Sequence, residues 1–155
     1  MQENEFSEKI ALYFYFSCLD ESRAQASTIR VLKKIRQESL HSSLNSNWPR
    51  PSDVVKITSE FNKRSKKLSK PTTLAFSTGY IVLPEGSNWG PWFEFRKVAD
   101  DKEFNAVLYS NILKIPDEEI AEGLGISLGA IRYRIGRGLK ILGNICLPEE
   151  SHGQH

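Results

Sequence analysis

Cysteine, histidine and methionine are scarce here: two, three and one among 155 residues. Cys18 and Cys146 stand far apart, and neither belongs to a Cys-x-x-Cys pair, so neither a zinc site nor a disulfide framework is indicated. Both read as small apolar residues in a reducing compartment. His41, His152 and His155 show no metal-ligand spacing. No apolar run approaches the roughly 20 residues needed to cross a bilayer. The acidic opening MQENEFSEK lacks the layout of a secretory signal. A cytoplasmic protein without membrane contact is therefore expected. The signatures of catalysis are missing too: no P-loop, no GxSxG, no HExxH, no dinucleotide fingerprint. The expectation is a chain with no enzymatic activity, no cofactor and no metal.

Net charge is also small, at +2, but it is unevenly spread. Residues 1–70 carry thirteen Lys/Arg against eight Asp/Glu, and residues 71–155 carry eight against eleven. Local fields attract a polyanion more than the total charge does. The densest run is KRSKKLSK, residues 63–70, with Lys63, Arg64, Lys66 and Lys67 as candidate phosphate-binding residues. A merely solvated basic face is the alternative.

What the chain has in quantity is helical periodicity. Phe6, Ile10, Tyr13, Phe14 and Ser17 share one face of a first helix. Leu19, Asp20, Glu21 and Ser22 supply a break and a new cap. Ala24, Thr28, Val31, Leu32 and Ile35 face inward from a second helix over residues 22–38. A polar loop, residues 41–51, is punctuated by Pro49 and Pro51. Val54, Ile57, Thr58, Phe61 and Leu68 align along a third helix, residues 52–67. Residues 1–70 thus predict an N-terminal helical bundle. Trp48, in the loop, could stack on an unpaired base or cap the core. In the connecting segment, residues 71–97, LAFSTGYIVL and WFEFRKV are β-prone and separated by PEGSNWGP. They predict either a β-hairpin or one extended linker. Trp89 and Trp92 could form a partner surface or pack against a neighbouring helix.

The most specific pattern lies at residues 115–140, IPDEEIAEGLGISLGAIRYRIGRGLK. Asp117, Glu118 and Glu119 open a helix, where negative charge suits the dipole. Ile120, Ala121 and Leu124 share its inner face. Gly125 is a natural stop, because glycine takes the left-handed conformation cheaply. Ile126 packs across the turn, and Ser127 caps the next helix. In that helix, running to about residue 142, Leu128, Ile131, Ile135, Leu139 and Leu142 form the expected core stripe. Ala130, Tyr133, Arg137 and Lys140 fall opposite, with Arg132 and Arg134 on either edge. The helix carries no carboxylate. Gly129 could admit a phosphate close to the backbone, while tight packing is the plain reading of Gly136 and Gly138. Phe104, Val107, Leu108 and Ile112 place a further helix before this pair. Residues 98–147 therefore predict a three-helix helix-turn-helix domain, with a tail at 148–155.

The stretch PDEEIAEGLGISLGAIRYRIGRGLKIL resembles region 4 of sigma-70-class transcription initiation factors, especially the small extracytoplasmic-function group. The resemblance implies a second helix that reads a −35 promoter element in the major groove. It places Ser127, Ala130, Arg132, Tyr133, Arg134, Arg137 and Lys140 at the DNA. Ala130 stands where the family usually has threonine, and Tyr133 where it has a small polar residue. The order of elements in residues 1–70 resembles sigma region 2, which grips RNA polymerase core and opens the −10 element. The acidic stretch of that region is replaced here by SRAQASTIRVL. Double-stranded promoter DNA and RNA polymerase core are the implied partners, and an anti-sigma factor a further one. Two other readings stay open: a sigma-like regulator that binds DNA without initiating transcription, and a protein-interaction module. The expected fold is mainly α.

Overall fold

The computed structural model describes residues 1–39, 47–65 and 88–147, and no strand occurs among them. The fold is mainly α, as the periodicity predicts. Helix α1 (Glu3–Cys18) ends on Leu19, which is left-handed with φ 51°. Asp20 restarts the chain, its Oδ1 accepting from the Arg23 amide at 2.9 Å, and α2 (Glu21–Ser39) follows. Then come α3 (Pro51–Arg64) and α4 (Gly90–Val98). Helix α5 (Asp101–Val107) runs on into a π-helical turn, Leu108–Ile112. Helices α6 (Asp117–Leu124) and α7 (Leu128–Cys146) complete the described chain.

The predicted inner faces of α1 to α3 are the observed ones. Phe6, Ile10, Tyr13, Phe14 and Ser17 are all buried. Ala24 and Val31 are buried on α2, as are Val54 and Thr58 on α3. Leu68, His41, Lys66, Lys67, LAFSTGYIVL and the tail 148–155 lie outside the described residues.

WFEFRKV corrects the β-prone reading: it lies in α4. Pro91, in the first turn, has φ already set for a helix. Trp92, Phe95 and Arg96 then fall on one helical face, and all three are buried. The Trp92 indole donates to the Phe16 carbonyl at 2.9 Å, and its ring lies 5.1 Å from that of Phe104. Trp89 packs on Phe16, ring centroids 5.1 Å apart. For both tryptophans packing is what the structure shows. Trp48, half-buried, sits 5.2 Å from the Phe6 ring and covers the core at that end.

Buried residues from α1 through α7 belong to one hydrophobic cluster. At its centre Tyr13 of α1 stacks on Tyr109 of the π turn, centroids 5.2 Å apart and planes 13° off parallel. The Tyr13 hydroxyl donates to Asn105 Oδ1 at 2.8 Å and accepts from Asn62 Nδ2. Thr58 and Tyr109 share a hydroxyl hydrogen bond of 2.8 Å. Burial pushes the Tyr13 phenol up to about 12, and burial also raises Tyr109 well above its ordinary value. Both hydroxyls therefore stay protonated and available as donors.

Helix α3 lies directly on α6. A Cβ at Gly123 would sit 2.6 Å from the Ser52 carbonyl oxygen and 2.7 Å from Val55 Cβ, so only glycine permits this approach. Glu119 of α6 reaches the start of α3, where Oε2 accepts from the Ser52 amide at 3.0 Å. The Arg50 guanidinium donates to both Glu122 oxygens, at 2.8 and 2.7 Å, and also to Glu119. Burial alone would raise the Glu119 carboxyl; the Ser52 amide and Arg50 together bring it below its ordinary value.

Candidate nucleic-acid interface

The turn between α6 and α7 is built as its residues dictate. Gly125 closes α6 with φ 65°, and Ile126 packs against the core. The Ser127 hydroxyl accepts from the Ala130 amide at 3.1 Å and so caps α7. That hydroxyl is already engaged within the fold.

On α7 the buried stripe differs from the predicted one. Ile131 and Gly138 are buried, and Ile135, Leu142 and Ile145 pack against the core. Leu139, assigned inward from spacing, is 39% exposed. The cause is helix α5. A Cβ at Gly138 would lie 2.5 Å from Val107 Cγ2 and 3.0 Å from the Glu103 carbonyl oxygen. The helices meet at this bare backbone, which turns Leu139 away. The tight packing suggested for Gly138 is therefore present, whereas Gly129 and Gly136 face open space.

The outward crest of α7 consists of Gly129, Tyr133, Gly136 and Lys140, all exposed. Tyr133 is 64% exposed. Ala130 is half-buried beside it. Arg132 and Arg137 border the crest, with side chains 60% and 56% exposed. Neither guanidinium is sealed inside the fold, yet both have carboxylate neighbours. Arg132 lies 3.6 Å from Asp117 and 3.6 Å from Glu118. Arg137 Nε lies 2.8 Å from Glu103 Oε1, and Nη1 donates to the Tyr133 hydroxyl at 3.2 Å. The Arg132 pairs are long and exposed, so exchanging them for a phosphate costs little. The Arg137 pair is short, and Glu103 is largely buried.

Arg134 departs from this group. It is half-buried and lines a cleft of about 530 Å³ between the ends of α1 and α3 and the C-terminal helices. Lys63 lines the same cleft, so two residues far apart in sequence meet there. Arg64 lines a separate depression between α2 and α3. Of the basic run, Lys63 and Arg64 are exposed at the end of α3.

Two residues that sequence reasoning passed over shape the site. Glu103 fixes Arg137, and its role becomes visible only once α5 is laid on α7. Arg96 is a buried cation whose Nε donates to the Ser17 carbonyl at 3.2 Å and whose Nη1 pairs with Asp101 at 2.8 Å. Its guanidinium lies 4.6 Å over the Phe104 ring. Read as part of a β-prone stretch, it gave no signal. No helix among the described residues is long and apolar enough to cross a membrane.

No family model, curated protein or solved structure matches the chain.

Proposed function

We propose that the protein is a sigma-like, DNA-binding transcription factor of the cytoplasm that sets the crest of α7 into the major groove of promoter DNA. One observation carries the reading: α7 has no carboxylate, and it stands outward on a glycine turn and a serine cap. A helix so mounted can enter a groove about as wide as itself. Tyr133 and Lys140 occupy the centre of the contact. Arg132 and Arg137 border it and exchange carboxylates for phosphates or a guanine edge. Ala130 contributes an apolar contact. Arg64 adds a phosphate contact where the duplex extends toward α3. The protein performs no chemistry of its own.

In the fuller form of this proposal the N-terminal helices bind RNA polymerase core, and an anti-sigma factor regulates the complex. The continuous core favours a second form. A factor reading two promoter elements at once needs its halves apart, whereas here α1 and α3 share buried contacts with the π turn and α6. A compact regulator that binds DNA without initiating transcription suits that packing.

Selection from a random duplex library, followed by affinity measurement across salt concentrations, tests the common part. The proposal expects affinity to fall steeply with salt. Tyr133→Ala or Arg132→Ala should then lose about 1–3 kcal/mol for each base-reading contact. Absence of any duplex binding would leave α7 as a protein-docking face. In vitro transcription with purified core polymerase separates the two forms: a promoter-dependent transcript supports initiation, and DNA binding without one supports the regulator.

A further inference from the structure

Beyond DNA contact, we propose that the cleft between α3 and α5–α7 is a binding site for a small, soluble, phosphate-bearing molecule. Its volume of about 530 Å³ falls in the range of sites that enclose small ligands. Lys63, Lys102 and Arg134 converge on it from three helices, α3, α5 and α7. None of these three makes an ion pair among the described residues, in contrast to Arg50, Arg96, Arg132 and Arg137. The carboxylate on the cleft wall, Asp101, is already held by buried Arg96 at 2.8 Å. Among the described lining residues four cations thus face one carboxylate, and a concave surface concentrates such a field.

Neutral groups complete the lining. Asn62 donates through Nδ2 to Tyr13, while its buried Oδ1 has no hydrogen-bond partner among the described residues. Ser59 and Ser65 add hydroxyls to the cleft wall. Phosphate at the cations defines the chemical class. The cleft is also separate from the proposed DNA contact: Arg134 sits beside the core stripe of α7, whereas Tyr133 and Lys140 form its outward crest. A molecule in the cleft would touch α3 from the N-terminal half and α5 and α7 from the C-terminal half.

The test uses the full chain and inorganic pyrophosphate, titrated by calorimetry at constant ionic strength. Saturable one-to-one binding is expected. The double variant Lys102→Gln, Arg134→Gln should bind roughly tenfold or more weakly, because two charge-assisted contacts are gone. Lys33→Gln, on the exposed side of α2, should stay within about twofold, the level of screened long-range attraction. Wild-type NMR gives a reading independent of any variant: amides of Lys63, Lys102 and Arg134 should shift with pyrophosphate, and those of Tyr133 and Lys140 should stay still. Absence of saturable binding overturns the proposal, as does an equal loss in all variants. Displacement of pyrophosphate by duplex DNA would also overturn it, by assigning the cleft to the nucleic-acid backbone. Pyrophosphate binding in a chain that binds no duplex would leave this site standing and remove only the DNA reading.

Discussion

Gly123→Ala adds one methyl group where α3 and α6 touch. The new Cβ would lie 2.6 Å from the Ser52 carbonyl oxygen and 2.7 and 2.9 Å from Val55 Cβ and Cγ1. Comfortable carbon contacts begin near about 3.5 Å, so the helices must part by close to about 1 Å. A backbone carbonyl cannot rotate aside as a side chain can. Overpacking of this kind costs about 1–3 kcal/mol. Alanine's better helix propensity returns up to about 1 kcal/mol, leaving a net loss of up to about 2 kcal/mol. For a chain of this size that lowers Tm by up to about 8 °C. Parting the helices also stretches the Ser52–Glu119 hydrogen bond, now 3.0 Å. Gly136→Ala is the matched control: no heavy atom lies within 4 Å of its added Cβ. That variant gains helix propensity alone and should rise by about 2–4 °C. Urea and thermal unfolding followed by circular dichroism measure both. If Gly123→Ala proved as stabilising as Gly136→Ala, the close α3–α6 contact, and with it the continuous core, would be wrong.

Three further outcomes follow from particular groups. The folded Glu119 carboxyl lies below its ordinary value, so its stabilisation is complete above the unfolded carboxylate pKa of about 4.3 and is lost as pH falls through the folded value; Glu119→Gln should therefore destabilise at neutral pH, with the difference from wild type shrinking in acid unfolding curves. Burial pushes the Cys18 thiol up to about 11, with Arg23 and Arg96 only partly opposing it, while Cys146 is exposed; a thiol reagent at neutral pH should label Cys146 promptly and Cys18 only on unfolding, and fast labelling of both would contradict the packing of α1. Glu103→Gln frees Arg137 and removes a negative charge beside α7; duplex affinity should rise several-fold and grow more salt-dependent, and unchanged affinity would take Arg137 out of the contact.

The parts of this fold legible in the sequence are those set by neighbours along the chain. Asp117 to Glu119, Gly125 and Ser127 specify a helix start, a stop and a cap through contacts within four residues, and each performs that role here. The face of α1 was equally legible, because five large or small residues agree on one stripe. The centre of the α7 stripe was not. Leu139 and Gly138 are adjacent, and periodicity prefers the leucine; the close approach of Val107 and Glu103 selects the glycine instead. WFEFRKV misled for a related reason. Its aromatic content favours a strand when read alone, while burial against Phe16 and Phe104 favours a helix. The cations of the candidate site were visible as residue types, but their partners were not. Glu103, Asp117 and Glu118 come from other helices, and Lys63 and Arg134 meet only through the tertiary fold.

The outward crest of α7 is the surface proposed to meet DNA. Amide chemical shifts of the full chain, followed while a selected duplex is added, test it most directly. Saturable shifts are expected at Gly129, Tyr133, Gly136 and Lys140, smaller ones at Arg132 and Arg137, and none along α2. Duplex binding that left the crest unmoved, or that shifted residues on another face of the protein, would contradict it.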